Sequence, residues 1–337
     1  MWVFCGSTFT TIPIDTATCV EHARPHKPPP TLGAGDKIGE GDSSLVLSIL
    51  PDDLADVAFE NMRKEVKWNT MYHRGGEVPR LVAVEGEVDA DGSFPIYRHP
   101  ADESPPLSPF SPTVSRIREH VQKVLDHPVN HVLIQHYRSG ADYISEHSDK
   151  TIDVVRGSKI VNVSLGAQRV MTLRMKKDGA KQLEPRDEKG ARPSQRIPLP
   201  HNSMFVLGLD TNAKWLHAVN HDKRPLQTKS DEERFMNGER ISLTFRHIGT
   251  FLARDESVIY GQGARGKTKG DARRVVNGTE EAAKLIAAFG KENQESEFDW
   301  ESAYGQGSDV VHFTPKKEEN GLYSSEMDGR LDGTCSR

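Results

Sequence analysis

The stretch "RISLTFRHI" at residues 240–248 alternates polar and apolar side chains without a break up to Arg246. In an extended strand successive side chains point to opposite faces, so Arg240, Ser242, Thr244 and Arg246 share one surface and Ile241, Leu243 and Phe245 the other. A solvated outer face of a sandwich ordinarily mixes charge signs and carries lysine. This face has two guanidinium groups, two hydroxyls and neither acid nor lysine, which suits an anion. Each guanidinium is a planar fork matched to a carboxylate, and two forks on one strand suit a dicarboxylate.

Working outward, short alternating runs recur at "NHVLIQHYRS" (130–139), "SKIVNVSLGA" (158–167), "RVMTLRMKK" (169–177) and "SMFVLGLD" (203–210). Successive strands at this spacing without intervening helices predict an antiparallel sandwich or barrel between about 130 and 252. The same alternation puts Gln135 with Tyr137, and Asn162 with Ser164, as further polar groups lining an interior.

Within this region "YISEHSDKTIDV" (143–154) places His147 and Asp149 on one strand face, spaced so that an imidazole and a carboxylate can grip one ion. A third ligand must come from elsewhere. His217 in "KWLHAVN" (214–220) is the best placed, with His201 and His221 competing for the role. Two histidines and one carboxylate on one face of an iron leave the opposite positions open, the arrangement of non-haem Fe(II) oxygenases. The alternative is a set of surface histidines flanking an ordinary strand.

Composition narrows the classes. Of 337 residues, 35% are hydrophobic and 28% charged, and no run approaches the ~20 apolar residues of a membrane helix. No association with a membrane is expected. The three cysteines, Cys5, Cys19 and Cys335, lie in the tails, which fits a reducing, cytoplasmic setting and no disulfide framework. The opening residues have no basic n-region, so a secretory signal is not expected. With 44 basic and 49 acidic residues the net charge is −5, against the basic balance usual in nucleic-acid binders. A nucleic-acid partner is therefore unexpected.

The Pro/Gly-rich stretch up to residue 43 reads as a disordered arm, and residues 317–337 as a disordered tail. "SLVLSIL" leads as a strand into a helix through "LADVAFENMRKEV", and "SPTVSRIREHVQKVLDHP" reads as a second helix. The region 68–112 suggests hairpins and a covering loop, and segments 178–196 and 226–239 suggest solvent loops. A helix from Thr279 belongs to a C-terminal extension, residues 253–316, expected to pack on the 44–252 domain.

The run H-x-D…H followed by R-x-S-L-T-F-R resembles the AlkB-like branch of the Fe(II)/2-oxoglutarate-dependent dioxygenases. The resemblance implies a mainly β fold with flanking helices, a double-stranded β-helix or jelly-roll barrel, with Fe(II) as cofactor and 2-oxoglutarate and O2 as cosubstrates. It further implies iron ligation by His147, Asp149 and His217, an Arg240 pair with the distal carboxylate of 2-oxoglutarate, and Arg246 near its C1 end. Tyr137, Gln135, Ser242 and Thr244 would complete the cosubstrate site. Gln135 and Ser242 each stand where the family pattern has Asn. The pieces "PIYRHPADESPPLSPF", "GQGA" and "FGKENQESEFDWESAYGQGSDVVHF" resemble a fungal subgroup of AlkB-like oxygenases that includes an L-valine aziridine synthase of alkaloid biosynthesis. That narrower resemblance implies a small amino-acid substrate, whose carboxylate needs a cation: Arg174, on the strand face of Thr172, and Arg98, in the covering region, are the candidates, with exposed surface arginine as the alternative for each. Val311 and Phe313 are further candidate substrate residues. Oxidative demethylation of nucleic acid and hydroxylation of another small molecule are the alternatives.

Overall fold

A computed structural model describes residues 28–73, 76–99, 105–182, 192–278 and 280–313. The strands, in chain order, are β1 (Ser44–Leu47), β2 (Asn69–His73), β3 (Gly76–Gly86), β4 (Phe94–Pro95), β5 (Leu107–Pro109), β6 (His131–Tyr137), β7 (Ile144–His147), β8 (Ile160–Gly166) and β9 (Arg169–Met175). They continue with β10 (Ser194–Leu199), β11 (Ser203–Leu207), β12 (Trp215–Val219), β13 (Arg240–Arg246), β14 (Thr250–Leu252), β15 (Val258–Gly261), β16 (Arg273–Arg274), β17 (Val276–Asn277) and β18 (Val310–His312). The α-helices are α1 (Asp52–Glu65), α2 (Pro112–Val124), α3 (Lys177–Gln182), α4 (Leu209–Lys214), α5 (Asp231–Arg234), α6 (Glu280–Gln294) and α7 (Trp300–Tyr304).

Eight strands form the major sheet, in the order β1-β11-β8-β13-β6-β3-β2 with β5 added beside β3. The minor sheet runs β10-β9-β12-β7. Strand parity decides what lies between them. On the outer face of the major sheet Ile241, Leu243, Phe245, Val161, Val163 and Ile134 join Leu54, Ala58, Phe59 and Met62 of α1 and Val114, Ile117 and Val121 of α2 in one buried cluster. Those helical residues recur every three or four positions, so one stripe of each helix covers the sheet. Burial of each large apolar side chain there contributes about 1.5–3 kcal/mol.

The inner face differs along its length. Leu45, Ile160, Phe205 and Leu207 of the major sheet meet Met171, Leu173, Ile197, Leu199 and Trp215 of the minor sheet in a second core. Beyond it, the inward positions of β13, β6 and β8 are polar, and that end of the barrel carries the candidate site. This is the mainly β, jelly-roll architecture expected from the alternating runs.

Several local expectations are corrected. Residues 28–43 do not hang free: Leu32 N donates to Arg196 O (2.8 Å), Ile38 is fully buried in the inner core, and Glu40 accepts from Trp215 Nε1 (2.9 Å). A few anchors suffice where average composition argues against order; residues 1–27 and 317–337 lie outside the described residues. Within the region read as hairpins and a covering loop, β3 is an eleven-residue internal strand between β6 and β2. Segment 178–196 begins within α3 and ends in β10, with 183–191 outside the described residues.

The chain after β13 folds back on the barrel. Ile152, Ala282, Leu285, Phe289, Tyr304 and Val310 form a third buried cluster, with Phe298, Trp300 and Phe313 packed against it. These aromatic residues dock the C-terminal extension.

Candidate metal and cosubstrate centre

His147 ends β7 and stands directly opposite His217 of β12 in the antiparallel register, with ring centroids 4.2 Å apart. Asp149 follows on the loop leaving β7. One ligand atom from each of His147, Asp149 and His217 lies within 4.8 Å of the others, so the three can share one ion. His201 and His221 are elsewhere: His201 Nδ1 accepts from Gly166 N (3.0 Å), and His221 packs on Tyr143 with centroids 3.9 Å apart.

The protonation states suit a divalent metal. Burial holds the His217 imidazole down at about 3 and lowers His147 as well, so both are neutral near pH 7. His147 Nδ1 donates to Ser145 O (2.8 Å), which leaves Nε2 for a metal. Burial alone would raise the Asp149 carboxyl, but the Arg246 guanidinium beside it holds it well below the usual carboxylate range. Arg246 Nη2 donates to both Asp149 oxygens (2.9 and 3.0 Å), and its guanidinium lies 3.9 Å over the Tyr97 ring. Tyr97 Oη donates to Asp149 Oδ1 (3.3 Å). Neutral imidazoles and an oriented, ionised carboxylate are the donor set Fe(II) takes.

Along β13, Arg240, Ser242, Thr244 and Arg246 pair respectively with Tyr137, Gln135, Leu133 and His131 of β6, and all eight face inward. Arg240 is 1% exposed. Its Nη2 donates to Asn162 Oδ1 (3.0 Å) and Ser164 Oγ (2.8 Å), and its guanidinium lies 5.2 Å from the Tyr137 ring centre. Nε and Nη1 of Arg240 have no partner among the described residues, nor have Nε and Nη1 of Arg246. Burial lowers Arg240 to about 10, so it stays charged at neutral pH. Buried unsatisfied donors on a charged group are costly, and an anion between them removes the cost. Arg240 and Arg246 thus present unpaired, charged donors on one inward face of β13. The orphaned donors therefore fit 2-oxoglutarate.

The remaining cosubstrate candidates are tied into this wall. Asn162 Nδ2 donates to Ser242 Oγ (2.6 Å) and Thr244 Oγ1 (3.1 Å), and the Gln135 amide, oriented to satisfy both groups, accepts from Arg80 Nε (2.9 Å). Gly166, opposite Arg240, has φ +88°, and a Cβ there would fall 2.4 Å from Glu239 O. Only glycine lets β8 end so close to the start of β13.

A cavity of about 350 Å³ opens beside Tyr97 and His131, with Val84, Leu133 and Leu252 on the barrel side and Val311, His312 and Phe313 from the C-terminal strand on the other. Val311 and Phe313 thus both line this cavity. Arg98 and Arg174 do not serve as a free substrate cation. Although Arg98 reaches this cavity, its guanidinium is committed to Asp153 and to the carbonyls of Gly263, Ser308 and Val310. Arg174 lies on the opposite strand face from His217, because His217 pairs with Leu173, and it bonds Glu146 on the outer surface (3.1 Å).

Three contributors escaped the sequence reading. His131 is 3% exposed, lines the cavity and has a buried Nδ1 without a partner among the described residues. The alternation that found Gln135 and Tyr137 runs back through Leu133 to His131 and would have found it. Tyr97, which holds Asp149 and its neighbours, comes from an irregular segment, and Asn212, which does the same, from the six-residue helix α4, too short for a periodicity to read.

Residues 44–246 match the 2OG-Fe(II) oxygenase superfamily. The chain is 32% identical over 206 residues to the human protein named DNA oxidative demethylase ALKBH2, spanning 58% of this chain and 69% of that one. The mouse protein of the same name is 29% identical over 206 residues, spanning 58% and 75%. Bovine alpha-ketoglutarate-dependent dioxygenase alkB homolog 3 is 27% identical over 200 residues, spanning 58% and 62%. With its neutral histidine pair, ionised aspartate and two half-satisfied arginines, the chain belongs to the AlkB-like branch of the 2OG-Fe(II) oxygenase superfamily and is a dioxygenase that uses Fe(II), 2-oxoglutarate and O2.

Proposed function

We propose that this dioxygenase oxidises a small amino acid, with L-valine as substrate and an aziridine carboxylate as product. The observation that supports the reading is the cavity of about 350 Å³ lined by Tyr97, whose hydroxyl donates to Asp149, and by His131; it is near the small end of the ~300–1,000 Å³ range of ligand pockets. Val84, Leu133, Leu252, Val311 and Phe313 give it an apolar wall suited to a branched side chain, polar groups such as His131 and Glu256 line the rest, and the C-terminal extension covers one side. The net charge of −5 agrees with a substrate other than a polynucleotide, whose phosphates call for a basic surface.

His147, Asp149 and His217 would hold the iron, which with 2-oxoglutarate and O2 supplies the oxidation of an unactivated C–H bond. Arg240 would anchor the distal carboxylate of the cosubstrate. Arg246 would keep the Asp149 carboxylate turned toward the metal and meet the C1 end of the cosubstrate. His131, neutral because burial holds its imidazole at about 3, would face the polar head of the substrate. Val311, Phe313 and Leu252 would place the branched carbon toward the metal. For ring closure the substrate loses one hydrogen from C3 and one from nitrogen as a C–N bond forms. The cosubstrate loses CO2 and takes one oxygen atom to become succinate, and the second oxygen atom leaves as water.

The similarity to ALKBH2 favours a second reading, oxidative demethylation of nucleic acid. Purified protein supplied with Fe(II), 2-oxoglutarate and either free amino acids or a methylated oligonucleotide separates the two by mass spectrometry. Valine-dependent succinate with a product two hydrogens lighter supports the first; demethylation with no amino-acid turnover replaces it with the second.

A further inference from the structure

Four consecutive backbone N–H groups around Asp149 are each accepted by a side chain from another part of the chain. Ser148 N donates to Asn293 Oδ1, Asp149 N to Asn212 Oδ1, Lys150 N to Tyr97 Oη and Thr151 N to Glu292 Oε1, all at 2.9 Å. Ser148, Asp149 and Lys150 are each no more than 5% exposed, so water does not replace these acceptors cheaply. Two of the four, Glu292 and Asn293, are adjacent on α6, outside the span 44–246 that the superfamily covers.

The α6 residues are themselves fixed. Glu292 is 4% exposed, accepts a short bond from Thr151 Oγ1 (2.5 Å) and accepts from Tyr304 Oη (2.8 Å) through its other oxygen. Lys176 Nζ, from the far side, donates to Glu292 O (2.6 Å) and Glu295 O (3.2 Å) and pins the end of the helix to the minor sheet. Lys150 Nζ donates to Ser148 O (3.1 Å) and Asn293 Oδ1 (3.4 Å). A carboxylate and two ammonium groups would not be buried here for packing alone, since each must find partners to offset desolvation. Glu292 and Lys150 bond the backbone on either side of Asp149, and Lys176 fixes the helix that brings Glu292 and Asn293 there.

We infer that α6 is part of the metal centre: Asn293 and Glu292 are positioning residues that lock residues 148–151 and so present the Asp149 carboxylate to the ion shared with His147 and His217. The inference rests on that ligand set and is independent of the substrate. Partners one step beyond the ligands typically change metal affinity about 10–100-fold when removed.

The test is Co(II) titration of the metal-free full-length chain, read by the visible absorption of the bound ion, with hydrogen exchange of the 148–151 amides in parallel. Asn293→Ala is expected to weaken Co(II) about tenfold or more and to speed exchange at Ser148, at a Tm near wild type. Asn293→Asp keeps the oxygen facing Ser148 N and is expected to restore both readings. Lys291→Ala, on an exposed position of the same helix, should change neither. Should Asn293→Ala not fold, Glu292→Met removes the acceptor of Thr151 N at similar volume, and it too should weaken Co(II). Wild-type Co(II) affinity in a folded Asn293→Ala, or failing that in Glu292→Met, would overturn the positioning role and leave the ligand set standing. A wild-type chain that takes no Co(II) would overturn the ligand set itself.

Discussion

Arg98 and Asp153 form a buried ion pair, 2.7 Å from Nη2 to Oδ1, with side chains 1% and 0% exposed. The pair ties three segments together. Arg98 follows the covering strand β4, Asp153 lies four residues beyond Asp149, and the remaining guanidinium donors reach Ser308 O (2.6 Å) and Val310 O (3.0 Å) of the C-terminal extension. A Cβ on Gly263 would lie 2.5 Å from Asp153 Oδ1, so the segment can approach only with glycine there. Removing one partner of a buried pair leaves an uncompensated charge and costs about 3–5 kcal/mol. Asp153→Ala is expected to lower Tm and to expose the chain near Ser308 to limited proteolysis; an unchanged Tm would show the pair contributes little.

Arg240 is the anchor proposed for 2-oxoglutarate. Arg240→Lys retains a charge and loses the planar fork, and a lost charge-assisted hydrogen bond is worth about 1.5–3 kcal/mol. The KM for 2-oxoglutarate should rise tenfold or more, with the substrate KM little changed. A wild-type cosubstrate titration would remove Arg240 from this role.

Phe313 closes the cavity and packs on Phe289, with ring centroids 5.9 Å apart. Phe313→Ala enlarges the cavity and forfeits apolar contact of order 2 kcal/mol. The valine KM is expected to rise at least tenfold while the KM for 2-oxoglutarate holds, and bulkier amino acids should gain relative to valine. Parallel changes in both KM values would mark a general loss of structure.

Lys176 supplies a pH signature. Burial lowers its ammonium to about 8 from an ordinary value near 10.5. Between those values the unfolded chain holds a proton that the folded chain has released, so folding gains stability as pH rises through this window and loses it as pH falls toward 8. Relative to Lys176→Met, which cannot titrate, wild type should gain stability from pH 8 to pH 10.5 in thermal melts. A constant difference would place the lysine in a wetter setting.

The polar wall of the site was legible because alternation alone assigns faces: Arg240, Ser242, Thr244 and Arg246 point inward as "RISLTFRHI" requires, beside Gln135, Tyr137, Asn162 and Ser164. The choice of His217 over His201 and His221 needed the β7–β12 register, which local sequence does not encode. Arg174 could have been placed correctly, since Met171, Leu173 and Met175 mark the inward parity of β9 and leave Arg174 outside. Arg98 could not: its partners Asp153, Gly263, Ser308 and Val310 come from distant, irregular segments. The order of residues 28–43 likewise rests on single anchors such as Ile38 and Glu40, which no composition window detects.

The central claim is that the His147, Asp149, His217 centre oxidises a small amino acid held in the cavity that Tyr97 and His131 line. It is tested most directly by incubating the full-length protein with Fe(II), 2-oxoglutarate, O2 and L-valine and quantifying succinate and product together by mass spectrometry. The expected result is one succinate per product, a product two hydrogens lighter than valine, and loss of both in Asp149→Ala. Succinate formation that ignores valine and other amino acids but follows addition of a methylated oligonucleotide would contradict it.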